Sequence, residues 1–203
     1  MHTTVTPFTL APWKEGRRPD VRSGWRGTSP EFGEIVLTCP LPRVVPESVV
    51  SEARGGLLPV TTFESRGIHV ENLRLPTLNR ATLRVGDRHV YLARNRIGAT
   101  LVQRALQLRH AGDAYRLAAL DRRGYTLTRA ADDEDPGVTV TVRESGRGKG
   151  ARLAVRAEGG RAEAADLALA LIFAGVDRSA LTRVGAVKAG ARRVAELWAE
   201  ASY

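Results

Sequence analysis

Between Glu34 and Glu158 the chain repeats short apolar runs that turn residues separate. Several runs alternate apolar and polar residues, and a period of two is typical of strands that bury one face. The spacing predicts antiparallel hairpins in a β-barrel or sandwich rather than a βαβ sheet. The predicted strands are Glu34–Thr38, Leu58–Glu64, Ile68–Leu75, Arg80–Val85, His89–Asn95, Ala105–His110, Tyr115–Leu120, Tyr125–Arg129, Val138–Arg143 and Arg152–Arg156.

The segments between these runs carry turn chemistry. Gly86-Asp87 suits a tight two-residue hairpin, because glycine accepts a positive φ. Asp121 to Gly124 closes another hairpin, and Gly146 to Gly150 forms a flexible basic loop. Pro40, Pro42 and Pro46 predict an irregular stretch or a sheet edge, since proline cannot donate to a ladder.

The pattern changes to helical after Gly159-Gly160. Residues 161–174 lack a helix breaker, and from Leu167 onward the segment is apolar on every side, which is typical of a buried helix. A second, amphipathic helix is predicted from about Asp177 to Ala199, with apolar residues three and four apart. The predicted fold is therefore mainly β, with a buried apolar helix and an amphipathic helix at the C-terminus.

Residues 1–33 differ from the rest of the chain in being rich in proline and arginine, with no period of two or 3.6. We expect an arm that is disordered or held in extended form, followed by a barrel-like domain over 34–176 and the C-terminal helix over 177–203. Deleting residues 1–33 should leave such a domain folded. The arm either hooks a protein partner or a second copy of the chain, or it packs as an ordinary surface arm; the hooking residues would be Trp13, Arg17, Arg18 and Trp25.

The chain is strongly basic, with a formal net charge of +9 and only three lysines, Lys14, Lys149 and Lys188. The preference for arginine over lysine is typical of a bacterial genome of high GC content. The excess of positive charge either favours an anionic partner or only keeps the protein soluble. Cys39 is the single cysteine, which fits a reducing compartment. With no signal peptide recognised and no apolar run approaching the roughly 20 residues of a membrane span, we expect a cytoplasmic protein that can be peripheral to a membrane.

Catalytic motifs are missing from the sequence. There is no nucleophile elbow, no phosphate-binding loop and no dinucleotide fingerprint. The histidines lie apart from one another, and the acidic loop at Asp132–Asp135 lacks the alternating spacing that wraps calcium. We therefore predict no catalytic residue, no metal and no cofactor, and we expect Cys39 to be an unreactive, partly buried thiol.

The best candidate site is the basic hairpin near residue 147. Arg143, Arg147, Lys149, Arg152 and Arg156 lie within fourteen residues, interspersed with glycines. Such a cluster can hold phosphate groups of a lipid or a nucleic acid, and the alternative is a solvated hairpin tip. No aromatic residue interleaves the loop, so it gives no indication of base stacking.

The hairpins Ala105–His110, Tyr115–Leu120, Tyr125–Arg129, Val138–Arg143 and Arg152–Arg156, followed by the apolar helix Ala164–Val176, resemble the tubby C-terminal, LURP-one and phospholipid-scramblase superfamily. In that superfamily a closed antiparallel barrel, of twelve strands when complete, encloses a hydrophobic helix. The resemblance covers residues 34 to 176, is one of layout, and carries over no ligand residue. It implies association with membranes or lipid headgroups for some members.

These observations lead to three expectations of function. The first is a non-enzymatic module that contacts anionic surfaces, phospholipid headgroups foremost. The second is a protein-interaction or assembly subunit that uses the N-terminal arm. The third is nucleic-acid binding driven by charge.

Overall fold

The computed structural model describes residues 5–17, 21–42, 47–67, 73–94, 104–133 and 135–182. Twelve antiparallel strands form a closed barrel in which sequential strands are neighbours and β1 pairs with both β2 and β12. This confirms the predicted mainly β fold. The strands are β1 (Phe8–Glu15), β2 (Arg22–Ser29), β3 (Gly33–Thr38), β4 (Ser48–Gly55), β5 (Leu58–Arg66), β6 (Ala81–Val85), β7 (Arg88–Arg94), β8 (Leu106–His110), β9 (Asp113–Ala119), β10 (Gly124–Arg129), β11 (Val138–Ser145) and β12 (Arg152–Gly159).

Alternation along the strands fills the barrel interior. In β8, Leu106 and Leu108 are buried while Gln107 and Arg109 are exposed, and β12 alternates in the same way. Because successive side chains of a strand point to opposite faces, each strand contributes every second residue to the core. Closure also leaves no unpaired sheet edge.

The predicted apolar helix lies inside the barrel. It is α1 (Ala164–Ile172), continued by a 3-10 turn over Phe173–Gly175, and every residue from Asp166 to Phe173 is buried. A helix that is apolar on all sides needs an enclosure on all sides, which the barrel supplies. Inside the barrel, Ser51 Oγ donates to Gly175 O at 2.6 Å, and Tyr125 Oη donates to Ala170 O at 2.7 Å.

The helix runs from one end of the barrel to the other. It begins beside the β10–β11 loop, where Asp166 meets Arg129, and it ends beside the β5–β6 loop, where Asp177 N donates to Pro76 O at 2.8 Å. The Arg178 guanidinium donates to the carbonyls of Phe173 and Val176 and so provides partners for C-terminal helix carbonyls.

The structure corrects the boundary expected at residue 33, because Phe8–Glu15 and Arg22–Ser29 are barrel strands. Proline and glycine in this segment hide its strand character from a sequence pattern. At Gly24 an added Cβ would collide with Leu37 O, and at Gly27 it would lie 2.8 Å from Leu10 Cδ2. These glycines permit close packing of strands instead of marking a free arm. Deleting residues 1–33 would remove two strands and open the barrel.

The structure contains one strand that the sequence pattern misses and contradicts part of another that it predicts, and the predicted amphipathic helix lies mostly outside the described residues. The sequence pattern misses strand β4 because the buried Ser51 interrupts its apolar face. The strand expected at Ile68–Leu75 is wrong for residues 73–75, which lie outside the strands, and residues 68–72 are outside the described part of the chain. Most of the predicted amphipathic helix is also outside it, and residues 177–182 hold only a 3-10 turn over Ser179–Leu181.

Candidate functional site

The loops at the end of the barrel where α1 terminates bring separate basic segments together. Glu144 N donates to Arg123 O at 2.8 Å, which fixes the β9–β10 turn beside the end of β11. The 3-10 turn at Gly148–Gly150, in the β11–β12 loop, contacts β1. Three hairpin segments therefore meet at this end.

The tip of the β11–β12 hairpin is shaped by its glycines. Gly146 has φ of 71°, and an added Cβ would lie 2.5 Å from Gly150 O. The turn closes through hydrogen bonds from Gly150 N to Arg147 O at 3.2 Å and from Ala151 N to Gly148 O at 3.1 Å. Arg147 and Lys149 are exposed on this compact turn.

The five basic residues predicted for this site divide into two groups. Arg143 forms an ion pair with Asp121 at 3.0 Å, and Arg156 forms one with Glu158 at 2.8 Å. Arg147, Lys149 and Arg152 have no carboxylate within 4.0 Å among the described residues. Only the second group lacks a neutralising carboxylate, and within it Arg152 Nη1 donates to Ala151 O at 2.7 Å and to Lys149 O at 3.3 Å.

The structure adds two cations that the sequence reading missed. Arg122 and Arg123 are exposed in the β9–β10 turn, which Asp121 holds by accepting hydrogen bonds from Arg123 N and Gly124 N, both at 2.7 Å. These backbone bonds, that from Arg123 foremost, lower the pKa of Asp121, and the charges of Arg143 and Arg123 lower it further. The pairing of β10 with β11 was the signal that could have placed this turn beside the basic hairpin.

We call the resulting cluster the basic rim, and it consists of Arg122, Arg123, Arg147, Lys149 and Arg152. In the part of the chain that the structure describes, none of its members forms an ion pair. Leu120, with 47% of its surface exposed, begins the same β9–β10 turn. Arginine and lysine around a glycine-rich turn can donate several charge-assisted hydrogen bonds to phosphate oxygens.

The tryptophans assigned to the arm belong to the barrel wall. The Trp25 side chain packs against the core. Trp13, in β1, lies directly opposite Gly24 of β2, and its Nε1 donates to Leu37 O at 3.3 Å. The Arg26 guanidinium carbon stands 4.7 Å from the Trp13 ring centroid, a cation–π contact. Arg17 is exposed at the β1–β2 turn, and Arg18 lies outside the described residues.

A groove of about 250 Å³ runs along the outside of β1–β4. Its lining is Trp13, Glu15, Arg22, Arg26, Val36, Thr38, Leu41, Glu52 and Arg54. The charges here are largely neutralised, since Arg26 pairs with Glu15 at 3.3 Å and Arg54 pairs with Glu52 at 3.6 Å.

The opposite end of the barrel, where α1 begins, contains a buried ionic cluster. Asp166 Oδ1 lies 3.2 Å from Arg129 Nε and accepts a hydrogen bond from Tyr115 Oη at 3.0 Å. Arg129 Nη2 also lies 3.2 Å from Asp135 Oδ2 and donates to Arg161 O at 2.9 Å. Burial raises the pKa of Asp166, while the hydrogen bond from Glu163 N and the charge of Arg129 oppose that rise. Arg129 and Asp166 are 6% and 1% exposed, so the cluster anchors the helix rather than meeting a ligand.

Comparison with known proteins gives no assignment: no family model, no curated protein and no solved structure matches the chain.

Nothing in the described residues positively indicates catalysis. No group of three or more His, Cys, Asp or Glu side chains there is arranged to hold a metal ion. Burial raises the pKa of Cys39 to about 12, with a further contribution from Glu144, so the thiol is protonated at neutral pH. Within the same residues, no helix combines the length and the apolar character required to cross a membrane.

Proposed function

We propose that this protein is a non-enzymatic binding module that docks on anionic surfaces through the basic rim, with phospholipid headgroups as its ligand. The observation that carries the proposal is the gathering of Arg122, Arg123, Arg147, Lys149 and Arg152 at one end of the barrel without a carboxylate partner among the described residues. Each lysine or arginine close to an anionic membrane contributes about 1 kcal/mol of attraction.

The position of Leu120 favours a membrane over other polyanions. This half-exposed apolar side chain begins the turn that carries Arg122 and Arg123. An apolar tip beside cations can enter the boundary between headgroups and acyl chains while the cations bind phosphates. Phosphates of a nucleic acid would leave Leu120 without an apolar partner.

The layout of the barrel also supports the proposal. Twelve closed strands around a buried apolar helix agree with the arrangement that the tubby C-terminal, LURP-one and phospholipid-scramblase superfamily implies. We propose membership of that superfamily on this likeness, and the lipid-binding behaviour of some members is consistent with a rim that attracts anionic lipid.

Vesicle co-sedimentation tests the proposal. The wild-type protein should pellet with vesicles that contain phosphatidylserine, remain in solution with pure phosphatidylcholine, and detach as salt screens the attraction. Arg147→Gln with Lys149→Gln should weaken the binding about 30-fold, from about 2 kcal/mol of lost attraction.

The matched control removes the same charge from the opposite end. Arg54→Gln with Arg161→Gln changes two exposed arginines near the start of α1 and should leave vesicle binding close to that of the wild type. Equal losses in both double variants would show attraction by net charge alone and would refute docking through the rim.

A second candidate function is protein assembly through the groove outside β1–β4. The observation in its favour is the combination of Trp13, Leu41 and Arg22 along one concave surface. Light scattering after size-exclusion chromatography tests it. An oligomer that survives high salt and dissociates in Arg22→Glu would support assembly, whereas a monomer at low and high salt would exclude self-assembly.

A further inference from the structure

The outer face of β6–β9 carries a second group of arginines, together with a histidine and a tyrosine. We call it the arginine–tyrosine face and define it by Arg84, His89, Tyr91, Arg109 and Arg116, all of which are exposed. Tyr91 is 67% exposed, which is unusual for a large aromatic side chain on a barrel wall.

Strand register places these residues side by side. Arg109 lies directly opposite Tyr91, and Arg84 lies directly opposite His89. Arg116 of β9 lies directly opposite Gln107 of β8. Gln107 and Arg109 are two residues apart and point to the same face, so Arg116 and Arg109 are diagonal neighbours about 7–8 Å apart. The face therefore presents an aromatic ring with guanidinium groups on both sides.

The face contains no acid to neutralise these charges. Its other outward positions in the described strands are Thr82, Ala93, Gln107, Ala114 and Ala118. Arg84, Arg109 and Arg116 form no ion pair within the described residues. By contrast, the arginines Arg26 and Arg54 on the β1–β4 wall each face a glutamate.

We infer that the arginine–tyrosine face binds single-stranded nucleic acid, with a base stacked on Tyr91 and backbone phosphates held by Arg84, Arg109 and Arg116. Single strands offer both of the groups that this surface suits, namely a repeating anion and an unpaired aromatic plane. As diagonal neighbours about 7–8 Å apart, Arg109 and Arg116 are close enough for both to contact one strand. The face lacks the protruding aliphatic side chain that favours a membrane at Leu120, and an exposed aromatic ring suits the unpaired bases of a single strand rather than the paired bases of a duplex.

Fluorescence anisotropy with labelled oligouridylate and oligothymidylate of fifteen nucleotides tests the inference. Tyr91→Ala should weaken binding about tenfold or more through the loss of one stacked base, and Tyr91→Phe should restore it. Arg109→Gln with Arg116→Gln should lower the slope of log K against log salt by about 1.4, because two phosphate contacts disappear. All these positions are exposed, so the melting temperature should stay unchanged.

Two controls separate this site from the basic rim. Arg54→Gln with Arg161→Gln removes equal charge elsewhere, and Arg147→Gln with Lys149→Gln removes rim charge; both should retain most of the oligonucleotide affinity. The inference is overturned if the wild type does not bind either oligonucleotide, or if Tyr91→Ala binds as well as Tyr91→Phe. It is also overturned if the Arg109 and Arg116 changes abolish vesicle binding and spare oligonucleotide binding, since the face would then serve a membrane.

Discussion

The two ends of the barrel use the same residue type in opposite ways. Where α1 begins, Arg129 is buried and is surrounded by Asp166, Asp135 and Tyr115. Where α1 ends, Arg147 is exposed, with no acid within ion-pairing distance among the described residues. Burial and pairing, rather than composition, therefore distinguish an arginine that holds the fold from one that is available to a ligand.

Energetics reinforce this contrast. A buried ion pair adds little to the free energy of unfolding compared with an apolar pair. Removing one partner is costly, because the other charge is then buried in the protein interior without a counter-ion. Neutralising an exposed cation changes the free energy of unfolding very little, because water solvates that cation in both the folded and the unfolded chain. We call the end of the barrel where α1 begins the helix-entry end. Substitutions at the helix-entry end should thus change the free energy of unfolding, and substitutions at the basic rim should change ligand binding.

The largest effect should come from Arg129→Met, which leaves the buried carboxylate of Asp166 without its cationic partner. We expect the free energy of unfolding to fall by about 3–5 kcal/mol in urea denaturation. Arg147→Met at the basic rim is the matched change and should alter it by no more than about 0.5 kcal/mol. Similar losses in the two variants would remove the distinction between the ends.

A smaller effect is expected from Tyr125→Phe, which tests how firmly the wall holds α1. The change deletes the hydrogen bond from Tyr125 Oη to Ala170 O and leaves a buried carbonyl without that donor. The cost should be about 1–3 kcal/mol, measured by thermal and urea unfolding. Unchanged stability would show that this contact contributes nothing to helix placement.

The rim should respond to Leu120→Asp in binding alone. The change removes an apolar tip and adds a negative charge, so affinity for vesicles that contain phosphatidylserine should fall about tenfold or more. The free energy of unfolding should stay within about 0.5 kcal/mol of the wild-type value. Leu57→Asp, at an exposed turn of the other end, should leave vesicle affinity unaltered; a matching loss there would assign the effect to net charge.

The smallest effect concerns pH and belongs to the helix-entry end. Burial lowers the pKa of His110, the charge of Arg88 lowers it further, and Asp113 and Asp166 oppose this. The unfolded chain then binds more protons than the folded chain below about pH 6.5, so His110 costs stability as the pH falls from there to the folded pKa. Wild type should lose more stability than His110→Gln over this interval. Parallel pH profiles in urea titrations would contradict this.

The barrel could be predicted where alternation is clean and not where packing requires unusual residues. In β8 the order Leu106, Gln107, Leu108, Arg109 predicts a half-buried strand directly. In β2, Gly24 and Gly27 serve close contacts with Leu37 and Leu10, and these depend on how β2 pairs with β3 and β1. The same limit explains β4, whose inward Ser51 is satisfied by Gly175 of the helix region.

The site shows a similar division. The glycines and cations between Arg143 and Arg152 form a local cluster that the sequence displays. Arg122 and Arg123 belong to the basic rim only because β10 pairs with β11. Arg143 does not belong to it, because it forms an ion pair with Asp121. Tyr91 and Arg109 become neighbours through the register of β7 and β8, which turn spacing alone does not provide.

The most direct test of the central claim is an environment-sensitive fluorophore placed at either end of the barrel. In a Cys39→Ser background, a label on Leu120→Cys should shift to the blue with vesicles that contain phosphatidylserine and not with phosphatidylcholine alone. The same label on Leu57→Cys, an exposed position at the other end, should not shift. A shift at Leu57→Cys, or no shift at either position, would contradict docking through the basic rim.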